Sequence, residues 1–348
     1  MKRIQEIMSQ CKDLSGNDIQ NLIAELQRLQ QSHTEDSIIR TRKEINEANG
    51  YHCPHCSSKA YRVHEKGRKF LRLTCLSCGK KYSEHTGTAI CGLKKPHLWA
   101  EFVELTIEGR SLRYISEKLG VSLQTAFNWR HKFLSSIQAD RDNKKLTGIV
   151  EVDEKEFHIS KKGSRNLDRN PYKRPSDRKN KLAKGDKLTA MVTLERKSRK
   201  SNMKLVKKGR LDKGTLDREL LGKIDKKKTT LCSDAHPTYY GWAEQNDIPH
   251  FWVIASQGEH TYDKIYHVQN INSHNSRFEK WHSRFNGVAS KYLNNYLSYF
   301  TLIENIKKHQ DKYQRTLFEI LKSSETLHRY RRIDKDYRQL TESPSSRT

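Results

Sequence analysis

The chain has 348 residues, enough for two or three domains with a sizeable core, and carries 67 Lys and Arg against 41 Asp and Glu, a formal net charge of +26. That excess points to a polyanionic partner. No run approaches the roughly 18 apolar residues of a membrane span, and the start, MKRIQEIMSQCKDL, lacks the apolar core of a signal peptide. Seven cysteines, four of them in two C-x-x-C pairs, fit metal binding in a reducing compartment better than a disulfide framework, so a cytoplasmic protein is expected.

Residues 1–48 place Ile4, Ile7 and Met8, then Ile19, Leu22, Ile23, Leu26 and Leu29, at helical spacing among charges. A small helical module is expected, with packing or dimerisation as its default role. Residues 49–92 change to short alternating stretches, turns and paired cysteines. Cys53-x2-Cys56 and Cys75-x2-Cys78 are eighteen residues apart, and two such turns can set four thiolates tetrahedrally around one Zn2+. Pro54 and Gly79 suit the turns, glycine because it accepts a positive φ. Four thiolates leave no open position, so this zinc ribbon is structural, and Cys11, Cys91 and Cys232 read as packing residues.

Residues 93–146 return to a helical pattern. In SLRYISEKLGVSLQTAFNWRHKFLSSI, Leu112, Ile115 and Leu119 are apolar, Gly120 and Val121 make a turn, and Ser122 caps a second helix. Leu123, Ala126, Phe127, Phe133 and Leu134 are expected to face inward. That leaves Gln124, Thr125, Asn128, Arg130, His131 and Lys132 for DNA in a helix-turn-helix; a plain three-helix bundle would show the same polar face. Residues 139–146 read as a linker.

Residues 147–310 alternate strands and helices: strands at 148–159, 188–197, 203–209, 229–234 and 250–256, helices at 211–224, 237–246 and 271–285. A mixed α/β sheet follows, and the whole is a multidomain α+β chain. Residues 161–210 hold nineteen Lys or Arg against four acids, a surface suited to tracking phosphates. Residues 311–348 read as a basic, frayed tail.

Asp153 lies in the strand VEVDEKEF and Asp234 ends TTLCSD. Two aspartates on one sheet in a basic protein suit metal-dependent phosphodiester chemistry, since Mg2+ takes hard oxygen ligands. Glu151 shares the face of Asp153 and could support it, whereas Glu154 should point to the opposite face as a supporting or structural group. His236 and His267 are read either as hydrogen-bonding within the fold or as contacting phosphate. In HVQNINSHNSRFEKW, Asn270, Asn272 and Asn275 stand where a nuclease would want a carboxylate, and Glu279 is the first acid.

CPHC…CLSC, EVDE at 151–154, CSDAHPTYYGW at 232–242 and HVQNINSHNSRF…W followed by RFNGVASKYLNNYLSYF at 284–300 come in one order over about 50–305. Together they resemble bacterial insertion-sequence transposases of the DDE type, in the subgroup with a zinc ribbon and a ribonuclease-H-like catalytic domain. The resemblance implies a catalytic set of Asp153, Asp234 and, as third ligand, Asn272 in place of Glu, loaded with Mg2+ or Mn2+. It also implies double-stranded DNA as partner, both element ends and target, and a homodimer or higher oligomer acting at the bacterial nucleoid. The chain departs at Glu279, where the family often carries a base. Glu279 either offsets the missing charge of Asn272 or is solvated, with Lys280 or Arg277 contacting DNA. The expected activity is cleavage at element ends and joining of the 3′-hydroxyl to target. The competing readings are a DNA-binding regulator or domesticated element without chemistry, and a structure-selective nuclease.

Overall fold

The computed structural model describes residues 14–65, 70–142, 145–165, 187–254 and 261–342, with 5, 9, 11 and 167 besides. Much of the basic run, 168–186, lies outside them. The chain divides into two compact units, Met1–Trp129 with Tyr313–Glu325, and Arg130–Lys312 with Thr326–Thr348. Among the described residues no helix is long and apolar enough to cross a membrane.

The first unit opens with helix α1 (Gly16–Asn49), capped by the Ser15 hydroxyl on the Asp18 N–H. Ile19, Ile23, Leu26 and Leu29 on it are exposed, whereas Ile38 and Ile45 are buried. A three-stranded antiparallel ribbon follows, β1 (Tyr61–Glu65), β2 (Arg72–Cys75) and β3 (Lys81–Ser83), around buried Leu73 and Tyr82. Helices α2 (Trp99–Ile107), α3 (Leu112–Lys118) and the start of α4 (Leu123–Asp142) come next. Trp99, Phe102 and Trp129 form their aromatic centre, with ring centroids 5.3–6.0 Å apart. Gly120 at φ +57 makes the turn, and the Ser122 hydroxyl caps α4 through the Thr125 N–H. Leu123 is 48% exposed rather than inward, because it lies in the first turn of α4, ahead of the buried Ala126.

The second unit is built on a five-stranded sheet of order β6-β5-β4-β7-β8. Its strands are β4 (Leu146–His158), β5 (Lys187–Glu195), β6 (Ser201–Lys208), β7 (Ile224–Asp234) and β8 (His250–Val253). β4, β5 and β6 are antiparallel neighbours, while β7 and β8 run parallel to β4. The expected linker at 139–146 is shorter, since α4 continues to Asp142 and β4 starts at Leu146. The expected helix at 211–224 narrows to α5 (Lys213–Leu216) and a π turn at Asp217–Leu221, because β7 already begins at Ile224. α6 (Pro237–Gln245), α7 (Gln269–Ser283) and α8 (Ser290–Ile306) follow.

The period of two along β4 sorts its side chains onto two cores. Val150 and Val152 join Leu216, Leu220, Leu231, Tyr239 and Trp242 on one face. On the other, Ile271 and Phe278 of α7 and Leu297 and Phe300 of α8 pack on Leu188, Ala190, Val192 and Cys232. Each fully buried side chain of this kind contributes about 1.5–3 kcal/mol.

The expected frayed tail is corrected: Lys312–Lys322 and Thr326–Glu342 are helices, α9 and α10. Ile320 and Leu321 of α9 are buried, so an apolar stripe holds what composition presents as a basic tail. The buried Arg42 donates to the carbonyls of Leu321 (2.7 Å) and Lys322 (3.2 Å) at the end of α9, and to that of Glu84 after the ribbon (2.8 Å). A cation at a helix C-terminus is favourable, although burial pushes its pKa down to about 10.

Candidate active site

In the first unit the sulfurs of Cys53, Cys56, Cys75 and Cys78 lie within 4.8 Å of one another. Cys53 and Cys78 are 3.7 Å apart and Cys56 and Cys75 3.6 Å. Tetrahedral thiolates at about 2.3 Å from Zn2+ would stand about 3.8 Å apart, so the cluster fits one zinc ion and fills its shell. The two knuckles are equivalent: Ser57 N–H bonds Cys53 O at 2.8 Å and Gly79 N–H bonds Cys75 O at 3.0 Å. Both residues take positive φ, +61 and +70.

In the second unit, parallel pairing sets Glu151 beside Cys232 on neighbouring β4 and β7. Two residues further along each strand, Asp153 and Asp234 fall at corresponding places on the same face. Asp234 ends β7 and is exposed; its Oδ1 accepts the His236 N–H at 3.4 Å. Asp153 is half-buried, and each of its oxygens is oriented: Oδ1 by the Glu154 N–H at 2.8 Å, Oδ2 by the Asn275 amide at 2.6 Å. Burial first, then repulsion by Glu154 and Asp234, raises its pKa to about 6. Glu154 points to the other face, as its place in the strand requires, and accepts the Tyr239 hydroxyl at 2.8 Å.

The structure brings Asn275 of α7, not Asn272, against Asp153. The Asn275 Oδ1 is buried and has no hydrogen-bond partner. Asn272 is exposed, one turn earlier, where i and i+3 are neighbours on the helix surface. Asn270 is used up within the fold: its amide donates to Glu151 at 2.7 Å and accepts from Arg199 at 2.9 Å. Two carboxylates on one face and an orphaned amide oxygen beside one of them are hard donors, and they suit Mg2+ or Mn2+.

The other candidates separate cleanly. Glu279 pairs with Lys155 of β4, which shares the face of Asp153; the pair has side chains 66% and 15% exposed. Arg277 bonds Glu304 at 2.8 Å and Ser273 at 2.8 Å, and so holds α7 to α8. Lys280 is exposed and makes no ion pair among the described residues. His236 is the N-cap of α6, its Nδ1 accepting the Thr238 N–H, and His267 Nδ1 accepts the Gln269 N–H. The Nδ1 of each histidine therefore hydrogen-bonds within the fold, and burial lowers the His267 pKa.

Of the residues proposed for DNA, Gln124, Thr125, Asn128 and Lys132 retain surface, with Gln124 donating to Asn128 at 2.9 Å. Arg130 and His131 are corrected: they are 3% and 1% exposed. His131 stacks on Tyr292 of α8 at 4.1 Å and bonds Asn295 at 2.9 Å, and burial lowers its pKa to about 3. Arg130 and His131 lie on the face of α4 that turns into core.

Sequence reasoning passed over Lys155 and Arg196 and weighed Asn275 without assigning it a role. The period of two along VEVDEKEF and the four-residue step from Asn275 to Glu279 carried the signal.

Residues 145–305 match the family model of the ISXO2-like transposase domain. The chain is also 26% identical, over 272 residues, to an uncharacterized protein in transposable element ISH50 of Halobacterium salinarum; the match covers 74% of this chain and 87% of that protein. The matched segment holds the sheet, the aspartate pair and α7. The domain match and the relative from a transposable element together support an insertion-sequence transposase.

Proposed function

We infer that this transposase cuts DNA at the ends of its element and joins the freed 3′-hydroxyl to target DNA on a ribonuclease-H-like domain. The observation that carries the reading is the pair Asp153 and Asp234 on adjoining parallel strands, with the amide of Asn275 on Asp153. Asp153, Asp234 and Asn272 are the proposed ligands of Mg2+ or Mn2+. Two such ions, when bound, activate the attacking oxygen and stabilise the leaving 3′ oxygen. Asp153 binds ionised, its two oxygens aimed by Glu154 and Asn275. Lys155 sets an ammonium on the same strand face, where a phosphate would lie. Lys280, the α4 residues Gln124, Thr125, Asn128 and Lys132, and the zinc ribbon are proposed to contact DNA. Transposition pairs two ends, so a dimer on DNA is part of the proposal.

The test is cleavage and strand transfer on end DNA with Mg2+ and with Mn2+, comparing wild type with Asp153→Ala, Asp234→Ala and Asn272→Ala. Activity lost in all three is expected. A wild-type protein that binds end DNA and nicks it with neither metal would establish the alternative, a DNA-binding regulator. Full activity of Asn272→Ala would remove it from the ligand set.

A further inference from the structure

We propose that Glu151 and Arg196 are positioning residues for the reaction: they lock the start of α7 onto β4 in the register that sets the Asn275 amide on Asp153. The inference rests on the metal-site reading above and assigns residues that reading leaves unused. Glu151 has no exposed surface. A carboxylate so placed is tolerated only when paired and fully hydrogen-bonded, and here it is. Its Oε1 accepts from Arg196 Nε (3.1 Å), Arg196 Nη2 (2.9 Å) and Asn270 Nδ2 (2.7 Å). Its Oε2 accepts the backbone N–H of Ile271 at 2.9 Å. Arg196, just past β5, also donates to the carbonyls of Ile265 and, at 3.0 Å, His267, the segment that leads into α7.

The bond to Ile271 N–H explains why a charge is kept here. A helix leaves its first N–H groups without partners, and a side chain at its own N-cap ordinarily takes one. The N-cap of α7 is Val268, which has no side-chain cap bond. Glu151 does that work from a neighbouring strand, with a negative charge at the positive end of the helix. A cap carried by the helix itself would leave the helix able to slide; a cap carried by β4 ties helix to strand. Two residues on, Asp153 meets Asn275, and two further on, Lys155 meets Glu279. Four helical residues rise about 6 Å and two strand residues about 6.6 Å, so the links keep step. A slip of one turn, about 5.4 Å, would take the Asn275 amide off Asp153.

Full-length Glu151→Gln and Arg196→Lys test this, beside Asp153→Ala and, as a control in the opposite core, Ile248→Ala. The readouts are Mn2+ affinity by electron paramagnetic resonance, kcat and KM on end DNA, and Tm. The expected result is Mn2+ affinity at least fivefold weaker and kcat at least tenfold lower in both clamp variants, with KM within twofold. Ile248→Ala should lower Tm as much and move neither. A folded clamp variant with lowered Tm but wild-type Mn2+ affinity and kcat would overturn the proposal, leaving Glu151 a part of the core. Should Glu151→Gln fail to fold, Arg196→Lys decides, since lysine keeps the charge but cannot span the carboxylate and two carbonyls. Asp153→Ala binding Mn2+ as wild type does would overturn the metal reading and this inference with it. Failure of the clamp alone leaves Asp153→Ala defective.

Discussion

Asp153 concentrates the chemistry proposed for the second unit at one side chain. Its pKa, raised from 3.8 to about 6, means that the folded state binds the proton more tightly than the unfolded chain does. Stability from that protonation is fully present below about pH 4 and is lost as pH rises through about 6, a difference of at most about 3 kcal/mol. Metal binding needs the ionised form, so the signs oppose. Mn2+ affinity should fall steeply below pH 6, and added Mn2+ should raise Tm more at pH 7.5 than at pH 5. Calorimetric titration at the two pH values checks both, and a flat profile would contradict the burial argument. Lys155 is the second residue at issue. Lys155→Met should weaken end-DNA binding and reduce the salt slope by about one, whereas Glu279→Gln, which frees the ammonium, should not weaken it. Binding measured from low to high salt separates these.

At the scale of elements, the ribbon and the helical hairpin were the most legible parts. Cysteine spacing and a Gly-Val turn are local signals, and the sulfur cluster and the Gly120 turn answer them directly. Cys53→Ser with Cys75→Ser should release one zinc per chain and unfold the ribbon, read by metal analysis and circular dichroism. What stayed hidden depends on neighbours distant in sequence. Arg130 and His131 look like any basic helix face until α8 covers them. The amide that reaches Asp153 was ambiguous because three asparagines share one turn and a half of α7, and a pattern does not record which way β4 faces it. Gly87 is of the same kind. A Cβ there would stand 1.8 Å from the Ser324 carbonyl oxygen, at φ +85. Gly87→Ala should therefore cost about 2 kcal/mol or more, measured by denaturant unfolding of the whole chain.

For the whole molecule, the strands and a mixed α/β sheet were readable from residues 147–256, whereas the strand order and the two cores depend on pairings between strands distant in sequence. The C-terminal helices were not readable either. Residues 311–342 are polar enough to read as solvated chain, and their few apolar positions gain meaning only where Ile320 and Leu321 are buried and Arg42 meets the end of α9. A chain ending at residue 310 should lose cooperative unfolding and several degrees of Tm, or aggregate. Unchanged unfolding would show that α9 and α10 are dispensable.

The path of the backbone has a consequence for the order of events during synthesis. The first unit takes α2, α3 and the ribbon from early in the chain, but Tyr313–Glu325 from near its end. The first unit therefore lacks a piece of its own interior until all five strands of the sheet have left the ribosome. A single proteolytic cut between the units leaves two incomplete halves rather than two domains. The first unit is closed by Tyr313–Glu325 and the second only afterwards, by Thr326–Thr348, so neither unit is one continuous stretch of chain.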